Sequence, residues 1–347
     1  MEETELTFLS SRGTGLNADL KLVQSYLLKN IKNQELKFRF FLNSEKSNND
    51  MVNQGVTSAK MKFCENVSSV ISTDGSLSAN VKKLNPAGVR LLLATPYDYQ
   101  FKNMKYLDDE KDIAHKRKTF KHYTHIVSGS PFTSKMLSHF YDLDGKQVMK
   151  DFCLPFVWDI NQTESQNEIR NALIRYFPAI EKKKIFSLLF YGEPKKRNRW
   201  IEDFDIKKLL GNLGEDWFII TNLQEIVDKI YFMKSKYKDS FGFVNHIMPS
   251  QNLLYVSEML LTNNGRLASY FVSRGKRIYC PEFRGNFFEN YMREKYHGMY
   301  LEKFSDLISL DLNADVKKDE QKMFHDQMTY KKLLCPYDYI ARLFTRK

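Results

Sequence analysis

The sequence predicts an α/β protein made of two halves that face each other across a cleft. Three observations carry that expectation. First, Met259 to Cys280 reads as one strand–corner–helix–strand unit. The apolar run Met259-Leu260-Leu261 meets the polar corner Thr262-Asn263-Asn264-Gly265, and a helical segment follows with Leu267, Tyr270 and Phe271 on one face. Gly275 stops that segment, and a second apolar run, Ile278-Tyr279-Cys280, is closed by Pro281. Second, similar short apolar runs alternate with helix-period segments on both sides of a junction near residue 160. Third, a chain of 347 residues suits two domains at roughly 150 residues each.

In chain order, Leu6 to Leu9 is the first strand. Gly13 and Gly15 follow it, then a helix with Leu20, Val23, Tyr26, Leu27 and Ile31 on one face. The glycines do not meet the GxGxxG spacing, so they do not specify a dinucleotide site. Phe38 to Leu42 is a second strand, Asn43 to Gly55 an exposed loop and Ala59 to Val70 a helix leading into a short strand ending at Thr73. Leu91 to Ala94 is a buried strand. It opens into Thr95-Pro96-Tyr97-Asp98, at the strand end where open α/β sheets hold ligands. His115 to Lys121 is basic and helical, His125 to Ser128 a strand, and Gly129-Ser130-Pro131 starts the helix through Lys135, Leu137 and Phe140. Cys153 to Phe156 reads as a short strand ending the first half.

Asn161 to Lys184 holds a crossing helix, and Ile185 to Tyr191 opens the second half. Gly192 to Arg197 lies just past that strand, and Trp217 to Ile220 and Phe241 to Val244 are further strands. Val316 to Lys347 is a helical tail whose last turns are amphipathic and basic. Either it docks on the core or it rests on a membrane surface. The expected domains are residues 1–160, residues 161–315 and the tail 316–347, which packs across the halves or on a membrane.

Composition narrows the function classes. Hydrophobic content of 42% and charged content of 27% describe an ordinary folded protein. The net charge of +11 suits an anionic partner, either a phosphorylated ligand or an anionic lipid face. The basic residues are dispersed and no zinc-finger, RNA-binding or basic-arm pattern is present, so nucleic acid is not expected. The four cysteines, Cys64, Cys153, Cys280 and Cys335, form no CxxC pair and fit a reducing cytosol. His115, His122 and His125 are not at metal-ligand spacing, and no metal is expected. The acidic start MEETELTFLS is wrong for a signal peptide, and no apolar run approaches ~18 residues. No Gly-x-Ser-x-Gly elbow, Walker loop or HExxH motif occurs. The corner at Thr262 to Gly265 has two readings: an asparagine caps the helix, or the corner's backbone amides hold a phosphate.

As a set, these segments resemble the CDP-glycerol glycerophosphotransferase family of bacterial wall teichoic acid and capsule synthesis. Leu9 to Leu27, with Gly13 and Asn17, is similar to the family's opening strand, glycine, asparagine and helix. Thr95-Pro96 with Lys102 resembles its His-Gly-Thr-Pro…Lys loop, and His125 to Ser134 its strand and serine-rich helix start. Lys184 to Arg197 resembles its apolar strand, proline and arginine. Leu261 to Pro281 sits where the family has Leu-Ile-Thr-Asp-Tyr-Ser-Ser, a helix and a strand, and Glu282 to Tyr300, with Arg293, resembles the acidic, tyrosine and arginine segment that follows.

The resemblance implies two Rossmann-like domains of the glycosyltransferase-B type, with the acceptor on the first and the nucleotide donor on the second. It implies that Thr262, Asn263, Asn264, Gly265, Arg266, Arg197, Glu282 and Arg293 face the donor. Gly13, Asn17, Thr95, Lys102, Ser128 and Ser130 then lie on the acceptor side. The partners it implies are a nucleotide-activated donor such as CDP-glycerol, an anionic or lipid-linked envelope acceptor, the inner membrane face and a partner transferase, with no cofactor beyond the donor. Leu93 stands where the family has its catalytic histidine and Ala94 where it has a glycine, and no histidine lies near Ile220-Thr221-Asn222. A leucine cannot accept a proton, so Asp98 is the nearest candidate base. Either the chain is an active transferase with altered chemistry, or it is a catalytically weakened partner of an active one.

Overall fold

The computed structural model describes residues 4–10, 17–31, 36–42, 57–58, 69–73, 88–94, 113–114, 117–118, 120–143, 147–191, 202–229, 236–281, 299–301, 303–310 and 318–345. The chain forms two compact units, one from Met1–Trp158 with Gln327–Lys347 and the other from Asp159–Asp326. Each is built on an all-parallel sheet.

The first unit contains β1 (Thr4–Ser10), α1 (Ala18–Asn30), β2 (Leu36–Leu42), β3 (Thr57–Ser58), β4 (Ser69–Ser72), β5 (Arg90–Leu93), β6 (His125–Val127), α2 (Pro131–Tyr141) and β7 (Val148–Met149). The strand order is β3-β2-β1-β4-β5-β6-β7, every pairing parallel. Leu9, Val70, Leu92 and Ile126 pack against Leu137 and Tyr141 of α2. These runs are buried on both faces, as parallel strands covered by helices must be.

Cys153 to Phe156, read from sequence as a strand, is instead the entry to α3 (Pro155–Asp159). Pro155 sets the φ of a first helical turn and has no N–H to leave unpaired. The only strand-like feature there, among the described residues, is an isolated bridge between Phe152 and Leu334.

The C-terminal helix, Pro336–Thr345, folds with this first unit and packs on α1. Ile340 and Phe344 are 1% and 7% exposed. Of the two readings of the tail, docking on the core and resting on a membrane surface, the buried side chains of Ile340 and Phe344 follow the first. Tyr26 ties the two helices together. Its ring stacks on Tyr337 at 4.7 Å, and its hydroxyl donates to Asp338 Oδ1 at 2.5 Å. That hydrogen bond, with some burial, pushes the phenol from 10.0 up to about 12.

The folded state therefore holds this proton more tightly than the unfolded chain does. The contribution is complete below pH 10 and is lost as pH rises from about 10 to about 12. Subtracting the tyrosinate absorbance titration of Tyr26→Phe from that of the native chain should isolate a phenol ionising near pH 12. An ionisation near pH 10 would show that the contact is not made in solution.

The second unit runs α4 (Thr163–Ile174), β8 (Lys184–Leu189), α5 (Ile206–Leu213), β9 (Trp217–Thr221), α6 (Gln224–Lys229), β10 (Phe241–Phe243), β11 (Ser257–Thr262), α7 (Gly265–Phe271), β12 (Arg277–Pro281), β13 (Tyr300–Leu301) and α8 (Phe304–Ser309). The crossing helix expected from 161 to 184 ends at Ile174, and a 3-10 turn, Pro178–Lys182, completes the way to β8. The strand order is β10-β9-β8-β11-β12-β13, again all parallel. Phe186, Leu188, Ile219 and Leu261 meet Leu209 of α5 and Leu307 of α8, with the rings of Phe204 and Phe304 4.7 Å apart. Asp205 caps α5 by accepting from Lys207 and Lys208 N–H at 3.0 and 3.1 Å. Gly275 closes the helical segment after α7 at φ +64°, a left-handed stop that glycine adopts without strain. Among the described residues no helix is long and apolar enough to cross a membrane.

Candidate functional site

Both sheets have the same plan. The chain lays down three strands in one direction, then returns to the other side of the first. The order therefore reverses between β1 and β4 in the first unit and between β8 and β11 in the second. At such a switch point the connections leave toward opposite faces and open a crevice at the carboxyl ends of the strands, where open α/β sheets bind ligands. Residues predicted for the site from sequence sit at both reversals.

In the second unit, β8 runs on through Phe190 and Tyr191 past its last pairings, Leu188 with Thr221 and Leu189 with Thr262. Asparagine side chains take over there. Asn222, just after β9, accepts from Phe190 N–H at 2.9 Å and donates to Phe190 C=O at 3.0 Å. Asn263, just after β11, accepts from Tyr191 N–H at 2.8 Å and donates to Tyr191 C=O at 2.7 Å. The Tyr191 hydroxyl lies 2.7 Å from Ser250 Oγ, and burial raises its pKa, partly offset by that bond.

The corner itself is closed by its own side chains. Thr262, 0% exposed, accepts Asn264 N–H at 3.1 Å, and Asn264 caps α7 through Arg266 and Leu267 N–H at 3.1 and 3.2 Å. Of the two readings the corner allowed, the side chains of Thr262 and Asn264 follow the capping one. Gly265 and Arg266, both half-buried, form the first turn of α7.

In the first unit Asn17 caps α1 by accepting Leu20 N–H at 3.0 Å, and its amide donates to Thr73 Oγ1 at the end of β4, 2.6 Å away. It thus bridges the β1/β4 reversal. Ser128 and Ser130, read as acceptor-side groups, are 0% and 1% exposed. Ser130 Oγ accepts Thr133 N–H at 3.0 Å and caps α2. The Tyr330 hydroxyl donates to Ser130 C=O at 3.0 Å and shares a hydrogen bond with Ser128 Oγ, 2.6 Å away. Both serine hydroxyls are thus enclosed and hydrogen-bonded within the unit.

Sequence reading missed Asn222, Tyr191 and Tyr330. The signal lies in strand adjacency, which no local pattern prints.

Asp98, Thr95, Lys102, Gly13, Arg197, Glu282 and Arg293 lie outside the described residues. Among the described residues no group of three His, Cys, Asp or Glu could hold a metal ion. Cys153 is buried, and desolvation pushes its thiol up to about 12, which disfavours the thiolate form. His125, with Nδ1 2.9 Å from Thr124 Oγ1, has its pKa lowered by burial. A pocket of about 240 Å³ lies at the amino ends of β8, β9, β11 and β12, lined by Lys184, Trp217, Glu258, Lys276 and Arg277. Lys276 is paired with Glu258 at 2.5 Å, and Lys184 lies over the Trp217 ring at 5.7 Å.

No protein-family model matches the chain, and no curated protein matches it. Solved structures do. A variant of the wall teichoic acid polymerase TagF soaked with CDPG superposes with a TM-score of 0.68 at 12% identity, covering 99% of this chain and 88% of that one. Another TagF variant gives 0.66 at 13% identity with the same coverage. UDP-GlcNAc 2-epimerase from Neisseria meningitidis bound to UDP-GlcNAc gives 0.58 at 11% identity, covering 99% and 100%. At these identities the likeness establishes the two-domain Rossmann-like fold.

Proposed function

We propose that the chain is a transferase that moves a glycerol-phosphate or sugar group from a nucleotide-linked donor to a cell-envelope polysaccharide or teichoic-acid acceptor. The observation that carries this reading is the pair of switch points, each with an asparagine set across it, in a fold shared with structures whose ligands are CDPG and UDP-GlcNAc. With CDP-glycerol as donor, an acceptor hydroxyl attacks the glycerol-bearing phosphorus, CMP leaves, and the hydroxyl proton passes to a base. Asp98 is proposed for that base. Arg266, with Arg197 and Arg293, is proposed to neutralise the charge spread over the phosphoryl oxygens. Glu282 is proposed beside the donor, and Gly13, Thr95 and Lys102 on the acceptor side. The +11 net charge favours an anionic acceptor at the inner face of a membrane.

One observation favours a second reading, a catalytically weakened partner of an active transferase. Leu93, which stands where the resembled family has its histidine, is 0% exposed at the carboxyl end of β5 and can accept no proton. Thermal unfolding with CMP, CDP-glycerol, CDP-ribitol and UDP-sugars separates the two. A specific donor at about 100 times its Kd adds about 2.7 kcal/mol, a rise of roughly 5–10 °C for units of this size. A rise with one donor and none with the others supports the transferase. No rise with any nucleotide supports the partner.

A further inference from the structure

We infer that Asn263 is a positioning residue: it holds the β8 exit at a fixed distance from the β11 exit and so sets the crevice the donor's nucleotide enters. This rests on the transferase reading but changes the role sequence assigns to Asn263, from touching the donor to holding what touches it.

Backbone pairing between β8 and β11 ends at Leu189 and Thr262. Beyond that point the two chains head for helices on opposite faces, because right-handed crossovers running in opposite directions put them there. The N–H and C=O of Tyr191, which point toward β11, would be left facing the opening gap. Asn263 supplies what a neighbouring strand would have supplied, one acceptor and one donor to the same residue, at 2.8 and 2.7 Å. A carboxamide engaged at both ends cannot turn to a ligand without releasing Tyr191. Tyr191 is also fixed at its ring tip, through Ser250 at 2.7 Å. The bridge therefore runs from β11 through the Tyr191 backbone and ring to the segment just before β11.

Asn222 provides an internal control. It makes the same two hydrogen bonds to the preceding residue, Phe190, but from β9, on the side of β8 where no reversal occurs. A purely structural role predicts that both asparagines behave alike. A positioning role predicts that only the one across the reversal affects ligand affinity.

The test uses the full chain as native protein, Asn263→Ala and Asn222→Ala. Amide hydrogen exchange of the peptide carrying Phe190 and Tyr191 is measured first without ligand, then affinity for CDP-glycerol and UDP-GlcNAc. Both variants should exchange about tenfold faster there than the native chain, as loss of a local hydrogen-bond pair implies. Only Asn263→Ala should weaken the bound nucleotide, by about tenfold or more, with Asn222→Ala within about threefold of native.

Equal affinity losses in the two variants overturn the inference, as does unchanged exchange or unchanged affinity in Asn263→Ala. Binding of neither probe by the native chain removes the transferase reading and this inference with it. Native binding with an indifferent Asn263→Ala removes this inference alone. If Asn263→Ala does not fold, Asn263→Ser, too short to span to Tyr191, takes its place with the same outcomes.

Discussion

Gly129→Ala should destabilise the first unit by about 3 kcal/mol, through two separable costs. Gly129 sits at φ +67°, where an L side chain crowds its own backbone at roughly 1–2 kcal/mol. A Cβ there would also lie 2.6 Å from Leu154 Cγ and 3.0 Å from Cδ1, inside a packed region, and overpacking costs roughly 1–3 kcal/mol. Urea unfolding of the full chain followed by circular dichroism measures the sum. The double variant with Leu154→Ala separates the parts. Leu154 is 1% exposed, so its truncation alone is costly, but in the Gly129→Ala background it removes the clash. A coupling of about 1–2 kcal/mol is expected, with the φ cost remaining. Strict additivity would show that Leu154 moves aside freely and that the left-handed backbone is the whole effect. The position matters because Gly129 separates Ser128 from Ser130, and both are held by the Tyr330 hydroxyl. A shift here moves the exit of β6 at the carboxyl edge of the sheet.

Much of this fold is written in short-range pattern. Ile185 to Tyr191 and Trp217 to Ile220 are continuous apolar runs because parallel strands are covered on both faces, and both are strands where expected. The two-residue strands β7 and β13 have no such run, since pairings that short are decided by their neighbours. The site divides in the same way. That Asn264 caps α7 follows from residues two and three positions on. That Asn222 and Asn263 clamp β8 depends on which strands flank it, through contacts across 32 and 72 positions of sequence. The reversal of strand order that sets Asn17 and Asn263 each across a switch point, one from the first strand's side and one from the fourth's, is a property of topology, and no window of residues carries it.

Asp19→Ala should cost the first unit about 3 kcal/mol, for a reason equally remote in sequence. Asp19 is 0% exposed in the first turn of α1, and its Oδ1 accepts Phe156 N–H at 2.8 Å from 137 positions away. The residue before α3 is Leu154-Pro155's leucine, whose apolar side chain cannot cap a helix, so an acid from another element does it. A carboxylate suits that place twice over, accepting an amide proton and facing the positive end of α3. Truncation leaves a buried N–H without that acceptor, at roughly 1–3 kcal/mol, and removes a charge-assisted bond besides. Asp19→Asn keeps an oxygen for Phe156 and should lose only about 1 kcal/mol, which separates the hydrogen bond from the charge. Equal losses in the two variants would mean that charge, not the cap, is what the unit needs. A neutral Asp19→Ala would mean that α3 is held by its packing alone. Asp19 lies two residues beyond Asn17, so the same turn of α1 that bridges β1 to β4 also anchors α3. Loosening either bond should therefore loosen the other, and Asn17→Ala with Asp19→Ala should lose less together than the sum of their separate losses.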